Sequence, residues 1–586
     1  MNKAELLSLI QVATGQRPPD LLVRNAHLVN VYVGEIQEGI SVGTSGSRIA
    51  FVTSDNVMPG ENTQVIDATD CFLIPGLIDG HTHLDALHHI HEYLRYAATG
   101  GTTTIVTETS GIANMAGIRG VYWLLEAMRD QPVRVLATAP SMVPGDPRVQ
   151  EGRNFSPAEL ARLLQEPDVV GLGESYWPRV LDGEEEVLEF FATAWNAGKP
   201  LEGHSSGAKG KKLQGYIAAG ITSCHEPITA QETRERLQLG LHVMIREGSI
   251  RRDLTAMAPL AGEGIDTRRL ALATDGVEPE ELLEKGYMEF VVQKAIDLGF
   301  SPMEAIRMAT LNVAEHFHLD QHLGGIAPGK YADMFLSASL ERIKAKTVIC
   351  NGRIIAADSR LTVPVREHKY PEEAYHILKF PAGVTPEFFK VSAGPYKKEA
   401  QVRVIRQVSD MLTAEETATL QVRGGEVLPD PSRDIIKACA VSTIDGSSRF
   451  TGFITGFGLK DGAYACSYTW DVPNVMVVGT NDADMALALN RIRKLGGGLV
   501  VARAGRVVAE LPQPICGLIS DASLEEISDR LARVVAAVKD MGYPHSNPFL
   551  AIQVVTFVGV PQLRLTHKGL VSVREKRLVD LLVGGQ

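Results

Sequence analysis

The chain has 586 residues, 45% of them apolar and 22% charged, which is too long for one ordinary core and predicts two or three globular domains. Its net charge of −12 argues against a large nucleic-acid footprint, because phosphate binding needs a basic face. No apolar run approaches the roughly 18–20 residues of a membrane-spanning helix, and no membrane partner is expected.

In chain order, residues 1–17 predict a short amphipathic helix with an early acid, without the long apolar stretch of a signal peptide. From Asp20 to Val65, Val and Ile alternate with polar residues between Gly turns, which predicts β-structure. From about Phe72 to Phe317, short apolar strands alternate with longer amphipathic helices. TTTIVTE, VRVLATA, VVGLGES, KPLEGHS, HVMIRE and LALATD read as strands; SPAELARLLQ, EEEVLEFFATAWNAG and QETRERLQLG read as helices. This α/β alternation predicts a (β/α)8 barrel with its polar motifs at the C-terminal ends of the strands. LGGIAPGKYADMFL and AKTVICNGRIIA then return to strand-like alternation. The expected division is a small β-domain from residues 1–71 and 319–360, a barrel over 72–318, a Pro- and aromatic-rich packed connector over 361–400, and an additional C-terminal α/β domain over 401–586. The six cysteines are scattered with no C-x-x-C pair, a pattern of reduced thiols that predicts a cytoplasmic enzyme.

Six residues at predicted strand ends carry the chemistry. FLIPGLIDGHTH, read as one apolar strand over Phe72–His83, places His81 and His83 at i and i+2 on one face. Glu174 ends VVGLGE, where an unpaired buried carboxylate would be expensive. His204 in LEGHS, His225 in TSCHE and Asp275 in LALATDG end three more strands. Any one of these is more often structural than catalytic; six in this order are hard to explain as core residues. Neutral imidazoles and carboxylates are the ligands of a divalent metal that keeps a position open for water. A metal-dependent hydrolase is therefore the leading reading, and a non-catalytic metal-binding ligand sensor is the alternative from another class. The other histidines are weaker. His88, His89 and His91 in ALHHIHEYL read as solvated or substrate-side in a loop entering a helix, His242 as structural, and His316 and His318 as packing or capping residues. GLGES has no following Lys-Ser/Thr, so it is not a phosphate loop, and the H-x-E with P-C-x-x-C pattern of zinc deaminases is absent.

At these residues the chain resembles the amidohydrolase superfamily and, within it, the bacterial adenine deaminase family. The matching pieces are PGLIDGHTHLD, GLGES, GHSSGAKGKKLQGYIAAGITSCHE, MIREGS, LALATDG, MATLNVAEHFHL and LGGIAPGKYADM, followed by GFITGFGLKDGAYACS and VVGTNDADMALALNRIRKLGGGLVV. They span nearly the full length. Many amidohydrolases bridge two metals with a carboxylated lysine; this family is expected to use a glutamate of the fourth strand, and Glu174 occupies that place. The chain departs from the family pattern at four points. Asp85 stands where a Glu is usual, and Thr109, Ser110, Gly111 and Ile112 replace P-H-E-I. Asp275, Gly276 and Val277 replace D-D-R, and Trp470, Asp471, Val472 and Pro473 replace H-D-S-H.

The resemblance implies hydrolytic deamination of adenine to hypoxanthine and ammonia, or of a closely related aminated heterocycle. It implies a binuclear divalent metal centre, Mn or alternatively Fe or Zn, held by His81, His83, Glu174, His204, His225 and Asp275. Asp275 is expected to shuttle the proton of the attacking water to the leaving amine, and Glu174 or Asp85 to protonate the ring. A small purine-like substrate and a homo-oligomer are expected. Cyclic amide hydrolysis would use the same ligands, and ring opening rather than ammonia release would identify it. Trp470, in SYTWDVPN, offers a flat face for stacking on a heterocycle and is expected near the barrel mouth, against the alternative of a core or interface tryptophan.

Overall fold

In the computed structural model, which describes residues 1–143, 155–470, 472–559 and 562–584, eight short parallel strands carry the site. They are β1 (Leu77–Thr82), β2 (Thr102–Thr107), β3 (Arg134–Ala139), β4 (Val169–Tyr176), β5 (Leu201–His204), β6 (Ser223–Cys224), β7 (His242–Arg246) and β8 (Leu270–Ala273). β1 to β5 pair in sequence as one parallel sheet and β6 to β8 as another. Backbone bonds of 2.9 Å join the two, from Thr222 N–H to the Leu201 carbonyl and from Asp275 N–H to the His81 carbonyl. The ring closes as the expected (β/α)8 barrel. Its strands are buried on both faces, as a parallel sheet under helices requires. Ile78, Val106, Leu136, Val170 and Met244 fill the interior, while their neighbours Leu77, Ile105, Val135 and Val243 pack outward against the helices.

The strand expected over Phe72–His83 is two strands. Phe72–Pro75 pairs with Leu21–Asn30 and Met334–Ser337 in a flanking sheet, and the barrel begins only at Leu77. The break falls at Gly76, where a Cβ would run into the Thr103 side chain and where the N–H turns to the Asp333 carbonyl at 2.9 Å. That sheet combines strands from residues 21–75 with strands from residues 334–361. The N-terminal helix runs Lys3–Ala13, opened by an Asn2–Glu5 capping box.

The C-terminal half builds a second nine-stranded, mostly antiparallel sheet from residues 399–512. Helix Asp482–Leu495 packs on it at Met485, Leu489 and Ile492, and helix Leu524–Asp540 at Ile527, Leu531, Val534 and Val538. This half is stitched to the barrel by main chain. The Leu87 N–H donates to the Leu518 carbonyl at 2.8 Å, and the Ser520 N–H donates to the Leu87 carbonyl at 3.0 Å. Asn547 Nδ2 also donates to Glu278 Oε1 at 2.8 Å. The same seam corrects the reading of His88 and His89 as solvated or substrate-side. Both are buried, His88 stacked on Tyr93 and His89 between Tyr370 and Asp521. All six cysteines are buried and none forms a disulfide among the described residues, and among those residues no helix is long and apolar enough to cross a membrane.

Candidate metal centre and catalytic cavity

The ends of β1, β4, β5, β6 and β8 deliver the six residues singled out in the sequence to one place. Asp275 Oδ1 lies 3.4 Å from His81 Nε2 and 3.4 Å from His83 Nε2. Glu174 Oε2 lies 2.9 Å from His204 Nδ1 and 3.2 Å from His225 Nε2, and Glu174 Oε1 reaches to 3.9 Å from His83 Nε2. His81 and His225 stack at 4.0 Å between ring centroids, so the two halves of the cluster share a wall. Asp275 takes a left-handed backbone at φ 55°, sparsely populated for a residue with a side chain, two residues after the end of β8. Its N–H bond to His81 fixes that turn. Buried Asp79 locks the neighbouring strand end, accepting from Thr274 Oγ1 and the Tyr287 hydroxyl, each at 2.6 Å, and from the His81 N–H at 3.2 Å.

Three further members did not stand out in the sequence. Glu108, at the end of β2, is buried with Oε1 3.6 Å from His81 Nδ1 and accepting from the Glu174 N–H at 3.2 Å. Glu226 follows His225 and lies 3.5 Å from its Nε2. Arg246, at the end of β7, is buried and pairs with Glu226, with Asp253 at 3.0 Å and with Asp275 Oδ2 at 3.1 Å. Each had a signal: TTTIVTE, TSCHE and MIREGS all place these residues at strand ends. An acid beside a histidine, however, reads as ordinary polarity until the fold closes.

Four carboxylates surround four imidazoles with one guanidinium between them, and the surplus negative charge shows in the protonation. Burial raises the Asp275 and Glu174 carboxyls, but hydrogen bonds from the imidazoles outweigh it and hold both well below the usual range. Burial also opposes charge on Glu226, yet Arg246 and His204 bring it to about 2. Burial lowers His83 and His204, but Asp275, Glu174 and Glu226 push them up to about 10 and about 9. Burial, helped by the neighbouring Glu174 carboxylate and opposed by His81 and His83, lifts Glu108 to about 7. His81, His83 and His204 are drawn toward cations, whereas burial and the neighbouring His81 hold His225 below its ordinary value; His81 Nε2 and His204 Nε2 are buried without a hydrogen-bond partner. Donor atoms of His81, His83 and Asp275, of His81, Glu174 and His225, and of His204, His225 and Glu226 each lie within 4.8 Å of one another. This nitrogen and oxygen set fits a divalent transition ion.

Above the cluster opens a cavity of about 530 Å³, large enough for a drug-sized ligand. His83, Glu174, His204, His225 and Asp275 form its base, and Asp85, Ser110 and Asn114 line one side. Asp85 is buried and its Oδ2 accepts the Ile112 N–H at 3.0 Å, pressed against Gly111 so closely that a Cβ there would collide with it. The far wall comes from the C-terminal half: Tyr468, Trp470 and Phe557. Trp470 meets Phe557 edge-on at 5.2 Å, and Phe557 reaches Tyr176 at 5.7 Å and His204 at 6.2 Å. Of the departures from the family pattern, Asp85, Ser110, Gly111 and Trp470 line this cavity. Val277 packs against the barrel core, and the Pro473 carbonyl accepts from Thr443. Asp471 lies outside the described residues.

A closed parallel barrel with a histidine–carboxylate cluster at its strand ends is the architecture of a metal-dependent hydrolase. Residues 72–355 match the amidohydrolase family, and residues 410–577 match the adenine deaminase C-terminal domain. The chain is 38% identical to an adenine deaminase of Moorella thermoacetica over 98% of each chain. It is 34% identical to one of Clostridium botulinum over 98% of this chain and 97% of that one. A third, from Staphylothermus marinus, is 35% identical over 99% of this chain and 98% of that one. The chain belongs to the adenine deaminase family of amidohydrolases.

Proposed function

We propose that this protein hydrolyses the amino group from adenine, giving hypoxanthine and ammonia, or from a closely related aminated heterocycle. The observation that carries the reading is the placement of Asp275 Oδ1 at 3.4 Å from both His81 and His83 at the base of a ligand-sized cavity. Full-length similarity to adenine deaminases supports the substrate class.

His81, His83, His204, His225, Glu174 and Asp275 would hold a binuclear centre, with Mn first and Fe or Zn as alternatives, and Glu174 placed between the two histidine pairs. A divalent pair bound there supplies Lewis acidity that brings a water pKa toward about 7. Asp275 takes a proton from the attacking water and passes it to the leaving amine, so that the amino-bearing carbon gains oxygen as ammonia departs. Arg246, on Asp275 Oδ2, keeps the carboxylate aimed with its other oxygen toward the imidazoles. Asp85, Ser110 and Asn114 offer hydrogen bonds to the ring edge, Asp85 as the candidate donor to a ring nitrogen. Tyr468, Trp470 and Phe557 cover the ring faces and exclude water.

Ammonia release from adenine by the Mn-loaded protein, with hypoxanthine as the product, tests the reading. Its absence across a panel of aminated purines and pterins would refute it.

A further inference from the structure

Besides the residues of its polar base, the cavity has an outer lining with a chemistry of its own. Ile250, Met411 and Leu412 line it with Ile228, and the last two named are large apolar side chains left 55% and 47% exposed, facing the cavity rather than a core. Among them stands one cation, Arg251. Among the described residues its one ion pair is to Asp253 Oδ1 at 3.0 Å, and the other Asp253 oxygen is already taken by Arg246 at 3.0 Å. One carboxylate is thus shared by two guanidiniums. The acids nearby are engaged elsewhere. Glu226 and Asp275 bind Arg246, and Glu281 binds Arg252 and Lys285. Asp410 accepts from the Tyr543 hydroxyl and from the backbone of Ser546 and Asn547, and Glu278 accepts from Asn547. The Arg251 side chain remains 30% exposed, with donors to spare beside the apolar Ile228, Ile250, Met411 and Leu412 and the small hydroxyl of Ser409.

We infer that the outer half of the cavity is a subsite for an apolar arm ending in an anion, carried by the heterocycle that loses its amino group. Free adenine has neither an arm for Ile228, Ile250, Met411 and Leu412 nor an anion for Arg251. The inference rests on the deaminase reading for the ring and on the cavity lining for the arm.

The test is calorimetric binding of adenine, 9-benzyladenine and 9-(4-carboxybenzyl)adenine to the Mn-loaded full-length protein. The carboxylated ligand should bind about tenfold more tightly than the uncharged benzyl ligand, the size of a partly screened charge-assisted hydrogen bond. Arg251→Gln should bring that ratio to one, and Arg251→Lys should keep part of it. The wild-type ratio should also shrink as salt is raised, a measurement that stands if the Gln variant fails to fold. A wild-type ratio of one or less, a ratio indifferent to salt, or a ratio retained in Arg251→Gln overturns the subsite. Ammonia release is read separately. Release from adenine without a carboxylate preference refutes the subsite alone; a preference without ammonia from any of the three ligands refutes the deaminase reading alone.

Discussion

The strand ends at the base of the cavity and the C-terminal loops along its wall hold their side chains by different means. At the base, Asp275 alone meets two imidazoles and a guanidinium, and Glu174 meets three imidazoles. Every member is buried or nearly so and is fixed by several partners. Along the wall, Trp470 meets Phe557 edge-on and Leu412 stands more than half exposed. A buried charged cluster cannot lose one member cheaply, because each deletion leaves a partner uncompensated, at roughly 3–5 kcal/mol. An apolar wall can change one residue at a time. The base therefore resists substitution one residue at a time, and the wall tolerates it.

The largest effect that would break this contrast lies in the base. Changing His81 and His83 together to Ala should strip the metal and abolish turnover. Elemental analysis showing full metal in the folded double variant would remove these residues from the ligand set. Next, Asp275→Asn should lower kcat by at least about 10²-fold, the usual contribution of a positioned acid–base group, with metal still present. Near-wild-type turnover would exclude the shuttle.

On the wall the expected change is smaller and of another kind. Trp470→Ala should raise KM about fivefold through lost aromatic contact while leaving kcat within about twofold. A large loss in kcat with KM unchanged would place Trp470 with the chemistry instead. The smallest effect belongs to the seam between base and wall. Burial lifts Glu278 from 4.5 to about 7, so the folded state favours its protonated form. Its contribution to stability is complete below about pH 4.5 and is lost as pH rises through about 7. Glu278→Gln should therefore gain stability relative to wild type between pH 5 and 8, on the order of 1 kcal/mol after allowing for the partial exposure of the residue. A difference in Tm that stays flat with pH would show the carboxyl to be indifferent to the seam.

The base is legible in the sequence because each of its six expected residues follows a short apolar strand and, His225 apart, flanks a Gly or a second histidine, and the barrel rule puts such residues together. The turn at Gly76 is not. FLIP runs into GLI with no charged or polar residue to mark a boundary, and only pairing with residues 334–337 shows that the two pieces belong to different sheets. Arg246 was hidden because a cation within MIREGS looks solvent-facing until Glu226, Asp253 and Asp275 close around it. His88 and His89 look solvated or substrate-side in the sequence because the seam that covers them, Tyr370 and residues 518–521, lies hundreds of positions away. Phe557 and Leu412 were invisible for the same reason: no local pattern tells a residue that it will dock on a distant barrel. Trp470 was read from its flat ring and its loop, and the cavity wall is where it stands.

The two main-chain bonds that tie Leu87 to Leu518 and Ser520 bear on how this protein can be rebuilt by recombination. The loop they grip begins two residues after Asp85 and four after His83, so the posture of the segment that carries these residues is set partly by a chain stretch encoded more than 400 positions later. A graft that exchanged the C-terminal half for a stranger's would have to present a carbonyl and an N–H at the same spacing, or leave the first strand's loop without its clasp. The two halves form an inherited pair, and mutations that retune the wall must leave that clasp in register.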